Sequence, residues 1–149
     1  MNISIQEVDK EHFPEWCQMR EALFTGLDED FHQQEMALIF NAEDRICFMA
    51  YCNEIEPIGF IELSLRNLVD GCLSSPVGYI EGIYLKPEAR SAGYGRQLIE
   101  RAEAWFKEKG CTEMATDVEI DNLDAQKFQE RVGFKETYKI VEYKKSLLD

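Results

Sequence analysis

Between Gly78 and Gly95 the residues commit the chain to one local architecture. Gly78-Tyr79-Ile80-Glu81-Gly82-Ile83-Tyr84-Leu85 reads as a strand, Lys86-Pro87-Glu88 as a turn, and Arg90-Ser91-Ala92-Gly93-Tyr94-Gly95 as the opening of a helix. A strand that turns tightly into a helix leaves backbone N–H groups unpaired at the positive end of the helix dipole. Such a junction holds anions, phosphate above all. Gly93 and Gly95 let a diphosphate approach the amides, and Arg90 and Arg96 add positive charge. No Gly-Lys-Ser/Thr follows, and no third glycine stands at dinucleotide spacing, so this is not a nucleoside triphosphate or dinucleotide loop.

The flanking segments supply a sheet and helices around that junction. Asn2 to Val8 alternates as a first strand. Asp9 caps a helix carrying Phe13, Trp16, Met19, Leu23 and Phe24 on one side, and Gly26 ends it. Asp28-Glu29-Asp30 starts a second helix with Phe31, Met36, Ile39 and Phe40. These aromatics read as core; Phe24 and Thr25 with the acidic triplet could instead wall a cleft. Ile46–Cys52 and Ile58–Arg66 form an antiparallel pair, followed by a loop from Asn67 to Pro76. Beyond Gly95 the helix shows an apolar stripe of Leu98, Ile99, Ala102, Trp105 and Phe106, closed by Gly110. Thr112–Val118 is a strand, Asp121-Asn122 caps a short helix, and Thr137 to Lys145 gives a last strand or hairpin. With no linker or repeat in 149 residues, a single domain over 1–149 is expected.

Composition narrows the class of partner. A net charge of −13 disfavours nucleic acid and suits a cationic partner, although ordinary solubility accounts for it equally well. No apolar run approaches the ~20 residues that span a bilayer, and no signal peptide is visible at the N-terminus. Five cysteines without a Cys-x-x-Cys pair, and only His12 and His32, read as reduced thiols in a cytoplasmic protein with no metal site.

Arg90-x-x-Gly93-x-Gly95 after a strand and Lys86-Pro87 resembles the acyl-CoA pyrophosphate loop of the GNAT superfamily of N-acetyltransferases. The order β-α-α-β-β-β-α-β-α-β-β is also that superfamily's, which implies an α+β fold with a mixed sheet and splayed central strands. Asn122-x-x-Ala125-x-x-Phe128-x-x-x-Val132-Gly133-Phe134 resembles its segment after the splayed strand, where the asparagine bonds the pantetheine arm. A narrower likeness covers most of the chain. Asp70-Gly71-Cys72-x-Ser74-Ser75-Pro76-Val77, Glu81-Gly82-Ile83-Tyr84, Gly110-Cys111-x-Glu113-Met114-Ala115-Thr116-Asp117 and Gly133-Phe134-x-Glu136-Thr137 are similar to the aminoglycoside 6′-N-acetyltransferases. The chain departs from that subfamily at Phe24, often a Trp, at Leu68, a Tyr, and at Tyr138, an acid. Those positions line the acceptor site in relatives. Phe128 replaces a tyrosine that acts as acid in many superfamily members.

The resemblance implies acetyl transfer from acetyl-CoA to an amine by direct attack in a ternary complex, without metal. Glu81 is the candidate catalytic residue, accepting the amine proton through water and holding the ammonium form. Asp117 is the second carboxylate flanking the cleft, with Phe24, Leu68 and Tyr138 as further acceptor-binding positions. Backbone of Ile83, Tyr84 and Leu85 pairs with pantetheine and polarises the thioester, while Arg90 to Arg96 (Ser91, Ala92, Gly93, Tyr94 and Gly95 between them) and Asn122 complete the cofactor set. An aminoglycoside is the expected acceptor and a homodimer the expected assembly. A polyamine, another small amine or a peptide N-terminus stays open as acceptor, as does a non-catalytic acyl-CoA-binding module.

Overall fold

The structure, a computed structural model, describes residues 3–149. The chain divides into two compact units, Met1–Asp117 and Val118–Asp149.

The first unit is a five-stranded sheet in the order β1-β2-β3-β4-β5, formed by β1 (Ile3–Glu7), β2 (Arg45–Cys52), β3 (Glu56–Arg66), β4 (Val77–Leu85) and β5 (Met114–Thr116). The first four strands pair antiparallel, and β5 lies parallel to β4. Between β1 and β2 run α1 (Phe13–Leu23) and α2 (Glu29–Asn41), and α3 (Tyr94–Glu108) connects β4 to β5. Asp9 caps a 3-10 turn, Lys10–His12, that leads into α1, and Asp28 caps α2 through the Phe31 N–H at 2.8 Å.

Strand alternation sorts the core into two layers. Cys47, Met49 and Tyr51 of β2 pack with Trp16, Met19, Met36 and Ile39 of α1 and α2. Phe48, between them in sequence, lies under the Arg101 guanidinium of α3 at 4.2 Å. The stripe expected on α3 is buried as read: Leu98, Ile99, Ala102, Trp105 and Phe106 are all in the core. Phe31 departs from its reading as core and is 41% exposed.

Close approach explains two glycines of β4. A Cβ on Gly78 would meet the Phe106 ring of α3 at 2.3 Å, and one on Gly82 would meet Phe24 Cζ, at the end of α1, at 2.6 Å. Four residues apart on a regular strand, these positions would face the same way. They face opposite layers because the β3–β4 register slips: Glu62 pairs with Gly82 but Leu63 with Ile80. Glu81 is the extra residue of a β-bulge.

The second unit holds α4 (Leu123–Arg131), capped by Asn122, whose Oδ1 accepts from the Ala125 N–H at 3.2 Å. The strand or hairpin expected over Thr137 to Lys145 does not form; those residues carry no ladder and are exposed. An alternating pattern permits a strand, but only a hydrogen-bonding neighbour makes one. Among the described residues, no helix is long and apolar enough to cross a membrane.

Candidate active site

The bulge turns Glu81 and Gly82 together toward the α1 side of the sheet, where β3 displays Glu62, Ser64 and Arg66 at two-residue intervals. A cleft of about 230 Å³ opens there, lined by Arg20, Phe24, Leu27, Phe31, Glu62 and Glu81 together with the Glu35–Arg45 ion pair. Phe24 forms a wall, as one reading of the sequence has it. The acidic triplet beside it does not line the cleft, because Asp28 is turned back as the cap of α2.

Glu81 is held from two directions. Ser64 Oγ donates to Oε2 at 2.5 Å. Arg66 donates from Nη2 to Oε1 at 2.8 Å and to Oε2 at 2.9 Å, and from Nε to Oε2 at 3.1 Å. The same guanidinium lies flat over the Tyr79 ring, 3.5 Å from its centroid. Tyr79 in turn donates its hydroxyl to Asp117 Oδ2. Burial, with that carboxylate beside it, pushes the Tyr79 hydroxyl well above the usual phenol range. The two carboxylates singled out in the sequence are thus joined in one chain, Glu81–Arg66–Tyr79–Asp117. Asp117 does not cap the following helix; Asn122 does.

Beneath the cleft lies a buried ion pair. Arg20 Nη1 reaches both oxygens of Glu62 at 2.5 Å, Trp16 Nε1 donates to Oε2 at 2.9 Å, and Arg20 Nε donates to His32 Nδ1 at 3.2 Å. Burial pushes the Glu62 carboxyl up, and Arg20 and Trp16 oppose that shift. Arg20 also packs over the Phe24 ring at 5.0 Å, so the pair supports the cleft wall.

The anion junction takes the form read from the sequence. Gly93 is the N-cap of α3 in a left-handed conformation (φ 86°), with no side-chain cap over the first turn. No side chain therefore caps the first turn of α3, where a helix's opening amides lack carbonyl partners of their own. Arg90 Nε donates to Leu85 O at 2.8 Å, which ties the loop to the end of β4. Ser91 and Ala92 are exposed on the same loop. The splay is also present: β4 and β5 pair only over Gly78–Ile80 with Met114–Thr116. From Gly82 through Ile83, Tyr84 and Leu85, β4 pairs with β3 alone among the described residues.

Leu68 is 82% exposed on the β3–β4 loop, outside the cleft lining. Asn122 and Tyr138 belong to the second unit, Asn122 as the α4 cap and Tyr138 exposed. The structure adds Ser64, Arg66, Tyr79, Arg20 and Glu62, none of which the sequence reading proposed. One signal was available: Glu62-x-Ser64-x-Arg66 is a polar stripe of period two inside an apolar strand. Two of the subfamily segments meet as well, since Glu113 Oε1 accepts from the Leu73 and Ser74 N–H groups at 2.8 and 2.9 Å. Four thiols are pushed away from the reactive thiolate: burial raises Cys17 to about 11 and lifts Cys47, Cys72 and Cys111.

Comparison with known proteins shows the family. Residues 13–134 match the acetyltransferase (GNAT) family. The aminoglycoside N(6′)-acetyltransferase type 1 of Serratia marcescens is 37% identical over 140 residues, 93% of this chain and 96% of its own. Its Salmonella enteritidis counterpart is 35% identical over 144 residues, 96% and 99% of the two chains. The solved structure of AAC(6′)-Iy in complex with the bisubstrate analogue CoA-S-monomethyl-acetylneamine matches with a TM-score of 0.92 at 35% identity, over 98% of this chain and 99% of that one.

Proposed function

The chain belongs to the acetyltransferase (GNAT) family, and from that premise we propose that its acceptor is the 6′-amine of an aminoglycoside. It is an acetyl-CoA-dependent N-acetyltransferase. What carries the choice of acceptor is the 0.92 superposition on an enzyme captured with a CoA–acetylneamine analogue.

In this reading the CoA diphosphate sits on the α3 amides between Arg90 and Arg96, where Gly93 leaves the backbone bare. Pantetheine runs as an added strand along the unpaired edge of β4 at Ile83, Tyr84 and Leu85. That brings the thioester beside Glu81, with a main-chain amide polarising its carbonyl. The acceptor arrives as an ammonium ion and is held against Glu81, with Phe24 as an apolar wall. Glu81 takes its proton through water, and the neutral amine attacks the carbonyl carbon. The C–N bond forms, the nitrogen sheds its second proton to solvent, the C–S bond breaks, and CoA leaves as a thiolate that solvent protonates. Raised cysteine pKa values fit direct transfer without an acyl-enzyme.

The same reading includes a homodimer in the cytoplasm. Ile140, Val141, Tyr143, Leu147 and Leu148 are exposed apolar side chains of the kind a second copy covers, and the five cysteines are free thiols, as suits a reducing compartment.

The test is turnover of acetyl-CoA over a panel of kanamycin-type sugars, polyamines and peptide amines. We expect acetylation of sugars that carry a free 6′-amine. Inert sugars with a reactive polyamine would reassign the acceptor, and no turnover with any amine would leave a CoA-binding protein.

A further inference from the structure

Glu81 already has a cation. Arg66 engages both of its carboxylate oxygens, and Ser64 takes a further lone pair of Oε2. A carboxylate so occupied has little capacity left for an ammonium ion. Yet the acceptor's amine has to reach Glu81. Either the acceptor approaches a neutralised site or Arg66 gives way.

The surroundings favour displacement. Arg66 is the last residue of β3 and the more exposed partner, 42% against 26% for Glu81. Its guanidinium does not depend on Glu81 alone, because it rests on the Tyr79 ring. Glu81 does not depend on Arg66 alone either, since Ser64 holds it from β3. Each partner therefore keeps a second contact when the pair opens. Tyr79 also binds Asp117, so Arg66 lies between the two carboxylates that would grip a polycation.

We propose that Arg66 is an internal competitor, a guanidinium that occupies Glu81 in place of the acceptor's ammonium and must be displaced before an amine is positioned. This rests on the reading of Glu81 as the acceptor's carboxylate. It makes Arg66 a positioning and specificity residue. An acceptor with several positive charges replaces the lost pair at Glu81 and gains a further one at Asp117, whereas a monoamine only replaces the pair at Glu81. The site thereby discriminates by charge number.

The experiment compares wild type with Arg66→Gln and Arg66→Lys, using kanamycin and, in parallel, spermidine and a simple monoamine. The expected result is a KM for the acceptor about fivefold lower in Arg66→Gln, the scale of a half-exposed ion pair. The KM for acetyl-CoA stays put, the monoamine gains proportionally more than the polycation, and Arg66→Lys restores the wild-type acceptor KM. Direct titration of each acceptor into the protein without acetyl-CoA reads the same competition as a dissociation constant, independently of catalysis. An acceptor KM that is unchanged or raised in Arg66→Gln overturns the proposal, because a merely structural arginine moves it in that direction. A wild type that is inert toward every aminoglycoside overturns the acceptor assignment instead, and the Arg66 comparison is then read on whichever amine reacts.

Discussion

Gly82 lies against Phe24 so closely that a methyl group on the glycine would come within 2.6 Å of the tip of the aromatic ring. The contact couples the bulged strand that presents Glu81 to the wall of the cleft beside it. Gly82→Ala forces the half-buried ring aside rather than breaking the core. We expect an acceptor KM about tenfold higher, with binding of CoA unaltered. Adding Phe24→Leu, which makes room for the methyl group, should recover part of the loss; steady-state kinetics on both variants decide it.

Glu81→Gln keeps the size of the side chain and removes its basicity. Turnover is expected to fall by about 10²–10⁴-fold, the usual contribution of a positioned base. Calorimetric affinity for CoA should match wild type, because the loop proposed to hold the diphosphate, at the start of α3, does not include Glu81. Wild-type turnover in the variant would take Glu81 out of the chemistry.

Arg20 and Glu62 are each only 3% exposed and answer one another's charge. Arg20→Ala strands a carboxylate in the core, and the expected cost is about 3–5 kcal/mol. Replacing both, as Arg20→Met with Glu62→Leu, should cost much less, since no buried charge is then left alone. Urea unfolding midpoints of the two variants give the comparison.

Glu113 provides a pH-dependent anchor for the loop at Leu73 and Ser74. Hydrogen bonds from Ser74 and the Leu73 amide hold its carboxyl below the ordinary value of 4.5. A depressed folded-state pKa means that the stabilisation is complete above 4.5 and fades as pH falls through the lowered value. Amide exchange at Leu73 and Ser74 should therefore show opening of the loop only in acid. In Glu113→Gln that acid step should be missing.

The strand-turn-helix junction, the α3 stripe and the caps at Asp9, Asp28 and Asn122 were legible in the sequence because each is a local pattern within a few residues. Glu81 and Asp117 were singled out through the likeness to known acetyltransferases. Their connection was not, because it runs through Arg66 and Tyr79, fifteen and thirty-eight positions away in sequence from Glu81 and Asp117 respectively. The expected strand at Thr137–Lys145 shows the converse: residues that alternate well enough for a strand form none.

Residue order alone determined the sequence of elements through α4 and the uncapped opening of α3, which follow from periodicity and backbone chemistry over short spans, and the family, which follows from the likeness of its motifs to known acetyltransferases. Tertiary structure decided which way Glu81 points and what it touches. A one-residue slip between β3 and β4 reverses the facing of everything beyond it, and a slip of that kind is set by how two strands pair rather than by either strand's own residues.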